Sequence, residues 1–249
     1  MVIAFGGDGT VSEAVEGLAG SPTPLTCLPG GATNVYCRML GVPTEIVDAT
    51  EHLLGLADRW SPRPVDVGRV NGRHFAFSAG LGLDADVVRR VDSHPRLKAR
   101  AGEYYFTAAA VGTFTRRYLR NPPNLEVTLP DGGTLAGVTA VVQNTDPYTW
   151  FGSRPVRIAE GATLTGGTLT GAVLRRANPL DAPGIITRAL GRRRRLLDHR
   201  QLDGFSEVTR VSARSVDGRP VGLQVDGDWQ RRVTEAHFEV LPGALLVVG

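Results

Sequence analysis

Apolar positions in the first sixty residues follow a helical and a continuous rhythm in turn. Val2-Ile3-Ala4-Phe5 is a short unbroken apolar run, and Val11, Ala14, Val15 and Leu18 follow at helical spacing, so the pattern predicts strand, turn and amphipathic helix. After a loop at 20–24, Leu25-Thr26-Cys27-Leu28 predicts a second buried strand, and Val35, Met39 and Leu40 open a second helix. A further helix is predicted over 44–58, with Ile46, Val47, Leu53, Leu54 and Leu56 on its apolar face. Arg59-Trp60-Ser61-Pro62-Arg63-Pro64 breaks this pattern. Beyond it, 65–70 turns through Asn71-Gly72 into 73–78, the pattern of a hairpin with a type I′ turn. The segment 80–92 is glycine-rich and then helical, and 104–119 reads as a longer helix with Phe106, Ala110, Phe114 and Leu119 on one side. Strands are predicted at 125–129, 137–143, 156–158, 171–174, 208–213, 221–225, 236–240 and 244–248. Short strands punctuated by glycine imply an antiparallel sandwich or a related β architecture.

With 249 residues, 42% of them hydrophobic, the chain is long enough for one or two cores. No apolar run approaches the roughly 20 residues of a membrane span, and no basic stretch followed by an apolar signal segment opens the chain, so a soluble cytoplasmic protein is expected. Cys27 and Cys37 are expected to be reduced and buried. A net charge of +3 permits attraction to anionic lipid without requiring it.

The candidate chemistry lies in the turns after the first two strands. In Gly6-Gly7-Asp8-Gly9-Thr10, glycines let backbone approach an anion while the following helix points N–H groups and its dipole at it. A carboxylate there would repel bare phosphate, so Asp8 makes best sense with a divalent cation or a hydroxyl between them. Thr10 would act as N-cap or phosphate donor. Pro29-Gly30-Gly31-Ala32-Thr33-Asn34 is a second glycine-rich turn, and loops at the carboxyl ends of parallel strands share one edge of the sheet. Thr33 and Asn34 would bond a nucleotide or simply cap the helix, and Arg38 would reach a phosphate or face solvent.

These motifs resemble those of the diacylglycerol kinase and sphingosine kinase type of lipid kinases, especially soluble bacterial members. The resemblance rests on Gly6-Gly7-Asp8-Gly9-Thr10, on Leu28-Pro29-Gly30-Gly31-Ala32-Thr33-Asn34, on Phe75-Ala76-Phe77-Ser78-Ala79-Gly80-Leu81-Gly82-Leu83-Asp84-Ala85 and on Gln224-Val225-Asp226-Gly227-Asp228. It implies an α/β nucleotide-binding domain over 1–63, incomplete at its start by about two strand–helix units. A larger, mainly antiparallel β domain for the lipid would follow over 64–240, and a strand over 241–249 has a return to the first domain as one option. It also implies ATP and Mg²⁺ as cofactors. Gly6, Gly7, Asp8, Gly9, Thr10, Gly31, Thr33 and Asn34 would hold the nucleotide, Asp8 would organise Mg²⁺, and Asp66 would join a metal and water network.

Asp226-Gly227-Asp228 stands where the family has Asp-Gly-Glu, which makes Asp228 the candidate base, with Asp226 and Asp8 beside it in the catalytic set. Taken alone, Asp226-Gly227 reads as a hairpin turn. Asp84 reads as structural. The structural Mg²⁺ site of some relatives is not carried over, because 162–169 holds no carboxylate.

Arg192-Arg193-Arg194-Arg195, with Arg188, His199 and Arg200 around it and Leu190, Leu196 and Leu197 interleaved, would suit an amphipathic helix docking on an anionic inner-membrane surface, or else a solvated basic face. Tyr148, Trp150 and Phe151 would line an acyl-chain groove or pack in a core. The expected partner is a diacylglycerol-like lipid; nucleic acid is not expected and a homodimer stays open. The expected activity is ATP-dependent phosphorylation of the lipid hydroxyl. The alternatives are an NAD kinase and a non-catalytic lipid- or nucleotide-binding remnant.

Overall fold

The computed structural model describes residues 1–57, 60–93, 112, 118, 122–191 and 195–249. Strands β1 (Val2–Gly6) and β2 (Leu25–Pro29) run parallel, joined by helix α1 (Asp8–Leu18). Nearly every residue of β2 is buried, as befits a parallel strand covered on both faces. Helices α2 (Val35–Leu40) and α3 (Ile46–Leu56) complete this α/β part. Strands β3 (Arg63–Val70) and β4 (Arg73–Phe75) form the expected hairpin, with Asn71 and Gly72 at φ 48° and 87°, as a type I′ turn requires.

The sequence pattern reads 73–78 as one strand; the structure divides it. After Phe75 the chain leaves the first sheet, turns at Ala76 and Phe77, and re-enters the second as β5 (Ser78–Leu81), followed by α4 (Leu83–Asp92). Alternation alone cannot report a change of sheet, because Phe75, Phe77 and Ser78 are all buried whichever layer holds them. The remaining elements are β6 (Leu125–Thr128), β7 (Thr134–Gly137), β8 (Thr139–Gln143), a small hairpin of β9 (Thr149–Phe151) and β10 (Arg154–Val156), β11 (Leu169–Leu174), α5 (Ala182–Ala189), β12 (Leu202–Val208), β13 (Arg210–Ser215), β14 (Val221–Val225), β15 (Asp228–Val233) and β16 (Glu235–Val247).

Among the described residues the first sheet runs β1-β2-β16-β13-β6-β7, with β3 on β16 and β4 on β3. The second, antiparallel throughout, runs β12-β11-β8-β5-β14-β15. Their facing sides enclose a sandwich core that includes Phe75, Leu81, Leu125, Leu223 and Phe238. A second core, with Val11, Val15, Leu25, Tyr36, Val65, Phe77 and Leu245, lies under the α/β helices. Strand β16 serves both. Its first half pairs with β13 and β3; past an irregularity between Leu241 and Leu245, Val247 pairs in parallel with Leu25 of β2. The two strands expected at 236–240 and 244–248 are thus one strand, bent where Pro242 and Gly243 interrupt the ladder.

The helix expected at 104–119 lies outside the described residues save for Gly112 and Tyr118. So does most of the arginine run. On its flanks α5 ends at Ala189, a short 3₁₀ turn spans Leu196–Asp198, Arg195 pairs with Glu160 at 3.0 Å, and Arg200 pairs with Asp181 at 2.8 Å. The proline and glycine that frame α5 (Pro183 and Gly191) keep it to two turns.

Two glycines are required by the packing between strands. Gly68 of β3 lies opposite Phe75 and Gly171 of β11 opposite Phe205, each phenyl ring lying across its glycine so that an added Cβ would stand 2.1 and 2.2 Å from ring carbons. Phe75 is fully enclosed and cannot withdraw. Gly68→Ala and Gly171→Ala should each lower the unfolding free energy by about 1–3 kcal/mol through overpacking. By contrast Gly55→Ala, on the exposed side of α3 with open space around it, should raise it by roughly 0.5–1 kcal/mol. Urea midpoints of the three variants check both signs.

Candidate active site

The two glycine-rich turns pack on one another. An added Cβ on Gly30 would stand 2.9 Å from Gly6 Cα, and one on Gly31 would stand 2.6 Å from Gly7 Cα. Gly30 also donates its N–H to Gly6 O at 2.9 Å. Glycine is therefore demanded here by loop-to-loop approach, before any ligand is considered. Helix α1 starts at Asp8 with Gly7 as its cap; Thr10 lies inside the first turn, against Gly6, and is not the N-cap its residue type suggested.

Asn34 adopts φ 52° and folds its amide back on the loop. Its Oδ1 accepts from Gly31 N at 2.8 Å and its Nδ2 donates to Gly31 O at 2.9 Å. With the side chain so committed, Asn34 shapes the turn and does not cap α2. That duty falls to Asp8, whose carboxylate accepts from Tyr36 N at 3.2 Å and from the Val35 amide. Burial pushes the Asp8 carboxyl above its ordinary range; those amides pull it down, the charge of Asp228 raises it, and Arg38 lowers it. Arg38 itself donates to Gly152 O at 3.3 Å and stacks 5.4 Å from the Trp150 ring centre.

The Asp226-Gly227 turn is a hairpin turn and part of the site at once. Asp226 and Gly227 have φ 48° and 79° and connect β14 to β15, as a type I′ turn demands. Asp226 is buried, and its carboxylate accepts N–H groups from three consecutive residues: Ala76 at 2.7 Å, Phe77 at 3.0 Å and Ser78 at 3.1 Å. The Ser12 hydroxyl of α1 adds a fourth. Asp228, the first residue of β15, is half-buried and reaches over α1. An added Cβ on Gly9 would stand 2.8 Å from its Oδ2. Gly9 thus leaves room for Asp228.

These parts line one cleft of about 460 Å³. Gly7, Asp8, Gly9 and Thr10 contribute from the first turn, Gly31 and Thr33 from the second, and Asp226, Gly227 and Asp228 from the hairpin; Phe77, Val88, Val91 and Tyr148 add an apolar side. Of the residues singled out from the sequence, Gly6 and Asn34 lie behind this surface.

Asp66 is held away from it. Its two oxygens accept from Gly167 N at 2.6 Å and Gly243 N at 2.9 Å, and its own N–H donates to Leu164 O at 2.6 Å. These loop amides satisfy its buried carboxylate, and Asp66 is not among the residues that line the cleft. Cys27 and Cys37 are buried and free, and hydrogen-bond to each other. Trp150 packs against the α/β core, and Tyr148 lines the cleft. Sequence reasoning gave no role to Ser12 or to Gln224, although Gln224 opens the Gln224–Asp228 motif; only the fold shows what each of them holds at the Asp226–Asp228 turn.

The cleft suits MgATP on two observations. Asp8 and Asp228 both line the cleft, and the charge of Asp228 raises the Asp8 carboxyl, a repulsion that a hard divalent cation would relieve. The paired turns and the start of α1 also present backbone to the same space.

The model of the diacylglycerol kinase catalytic domain matches residues 1–70. The diacylglycerol kinase of Bacillus subtilis (strain 168) is 32% identical over 199 residues, covering 76% of this chain and 60% of that protein. That of Staphylococcus carnosus (strain TM300) is 26% identical over 234 residues, covering 92% and 70%. The chain spans less than two thirds of the length of the first curated relatives it matches. Two solved structures from Bacillus anthracis str. Sterne, one of them of a diacylglycerol kinase, cover 99% of this chain and 75% of their own, with TM-scores of 0.74 and 0.68 at 24% and 20% identity. They share its fold, an α/β part followed by a larger, mainly antiparallel β part.

Burial pushes the Asp226 carboxyl up to about 6, against the pull of its amide donors. Below about pH 4 the group is protonated folded and unfolded; between 4 and 6 only the folded chain keeps the proton; above 6 the fold holds a buried carboxylate. The stability the protonated group contributes in acid is lost as pH rises through 6. Relative to Asp226→Asn, which lacks this titration, the wild-type unfolding free energy should fall by up to about 3 kcal/mol between pH 4 and 7, since each tenfold difference in proton affinity between the folded and unfolded chain is worth about 1.4 kcal/mol. Denaturant titrations of both proteins across that range, with the Asp226 carboxyl resonance titrating near 6, are the check.

Proposed function

Because the chain belongs, through its first 70 residues, to the diacylglycerol kinase family of lipid kinases, we propose that it transfers the γ-phosphate of ATP to the hydroxyl of diacylglycerol or a closely related lipid. The observation that carries this reading is the meeting of the two glycine turns with Asp228 in one cleft that also has an apolar side. Gly7, Gly9, Thr10, Gly31 and Thr33 would hold the nucleotide's phosphates with backbone and hydroxyl donors, and Asp8 would hold Mg²⁺. Gly6 and Asn34 act behind them, on loop shape. MgATP, when bound, supplies the phosphoryl group and the positive charge that offsets its anionic oxygens.

Asp228 removes the proton of the acceptor hydroxyl. Asp226 fixes the turn that carries Asp228: its amide donors tie that turn to 76–78 and the Ser12 hydroxyl ties it to α1. Phe77, Val88 and Val91 exclude water from the acceptor side.

In this reading residues 1–63 are the nucleotide side and 64–240 the lipid side. No helix among the described residues is long and apolar enough to cross a membrane; in this reading the lipid is met at a membrane surface. Exposed Leu180 and Ile186, beside Arg176 and Arg188, are the contact we favour for an anionic leaflet.

The test is transfer of labelled phosphate from MgATP to a lipid panel in mixed micelles. Phosphatidic acid is expected, with Asp228→Ala lowering kcat by roughly 10²–10⁴-fold. Phosphorylation of NAD in place of every lipid would move the assignment to NAD kinase. Nucleotide binding without any product would favour a binding module.

A further inference from the structure

We infer that Gln224, clamped by Asp84, is a positioning residue that sets the base-bearing turn and ties it to the acceptor side of the cleft. The inference deepens the kinase reading and rests on it for its chemical meaning.

Gln224 is fully buried in β14, two residues before the turn. Both ends of its amide are used. Oε1 accepts from Gly227 N at 2.8 Å, inside the turn, and Nε2 donates to Asp84 Oδ2 at 2.6 Å. Asp84 lies in the first turn of α4, and its other oxygen accepts from the Tyr148 hydroxyl at 2.7 Å. One chain of hydrogen bonds therefore runs from Tyr148, on one wall of the cleft, through Asp84 and Gln224 to the Asp226–Gly227 peptide group, next to Asp228 in the turn. Helix α4, which carries Asp84, also supplies Val88 and Val91 to the cleft. Seating of the acceptor against α4 and Tyr148 and the placing of Asp228 thus depend on the same carboxylate.

A second observation points the same way from the backbone. Gly80 is the cross-strand partner of Gln224. An added Cβ there would stand 2.1 Å from Asp84 Oδ2 and 3.0 Å from Gln224 Nε2. The Asp84–Gln224 bond passes directly over Gly80, so a methyl group at this position severs it without changing any polar side chain.

The network is also selective about what it fixes. Gln224 holds one end of its turn, at Gly227 N, whereas Asp226 anchors the other end to 76–78. Removing Gln224 leaves the Asp226 anchor in place and frees only the segment that aims Asp228. The phosphate-binding turns, on the other sheet, are untouched. Their affinity for nucleotide should therefore not change.

The experiment reads the turn and the turnover separately. Amide exchange at Gly227 is compared in wild type, Gln224→Leu, Gln224→Glu and Gly80→Ala, alongside kcat and KM for MgATP. In Gln224→Leu and Gly80→Ala, exchange at Gly227 should quicken about tenfold with loss of one hydrogen bond. In both, kcat should fall by roughly 10–100-fold, as for a base displaced by about 1 Å, while KM for MgATP stays within about twofold. Gln224→Glu keeps an acceptor for Gly227 N and should fall between wild type and the leucine variant, which keeps the test alive if leucine prevents folding.

Unchanged exchange overturns the inference, and so does faster exchange with unchanged kcat. A rise in KM for MgATP equal to the loss in kcat would assign the effect to general loosening and overturn it too. A wild type that exchanges slowly at Gly227 but phosphorylates no lipid would sink the kinase reading alone; the exchange arm would still decide whether Gln224 holds the turn.

Discussion

One carboxylate organises this molecule. Asp226 takes N–H groups from Ala76, Phe77 and Ser78 where the chain passes from the first sheet to the second, and the Ser12 hydroxyl from α1. Three successive amides converging on one point leave a crossing segment no freedom to drift. Burying that carboxylate opposes its charge, and the donors offset the cost. The outcome is a junction where the α/β part, the sandwich and the β14–β15 turn all meet, so the cleft is a by-product of how the two sheets are joined.

The glycines around the cleft report contacts within the protein. Gly7, Gly30 and Gly31 are small because two turns touch, Gly6 because Thr10 stands against it, Gly9 because Asp228 leans over α1, and Gly80 because a side-chain hydrogen bond crosses it. A phosphate loop is commonly explained by what it binds. Here the same residues are already required by the protein's own packing, which gives the loops a fixed shape before ligand arrives and lowers the ordering cost of binding.

Much of this was legible from residue order, and the reasons for what was not are physical. Strand, turn and helix at the start followed from apolar spacing, because a parallel strand and an amphipathic helix each bury a defined face. Asn71-Gly72 and Asp226-Gly227 announced their turns, since few residues accept positive φ in succession. The division between Phe75 and Ser78 was hidden, because period two says which side is buried and not which sheet is entered. The motif order pointed to Asp66 but could not name its partners, because Gly167 and Gly243 lie 101 and 177 residues away. The role of Gln224 was hidden for a related cause: an amide between Leu223 and Val225 reads as an ordinary strand residue until the fold shows what stands at each end of it.

Strand β16 has a consequence for how the protein comes into being. Residues 235–247 lie between β2 and β13 and contribute Leu245 and Val247 to the α/β core, so β2, made early, is closed by a strand made more than two hundred residues later. Until then β2 lacks one neighbour, and Val65 and Val67 lack their cover. Contacts of such sequence separation form slowly. During synthesis the emerging α/β segment therefore waits, apolar side open, until residues 235–247 have emerged and joined it.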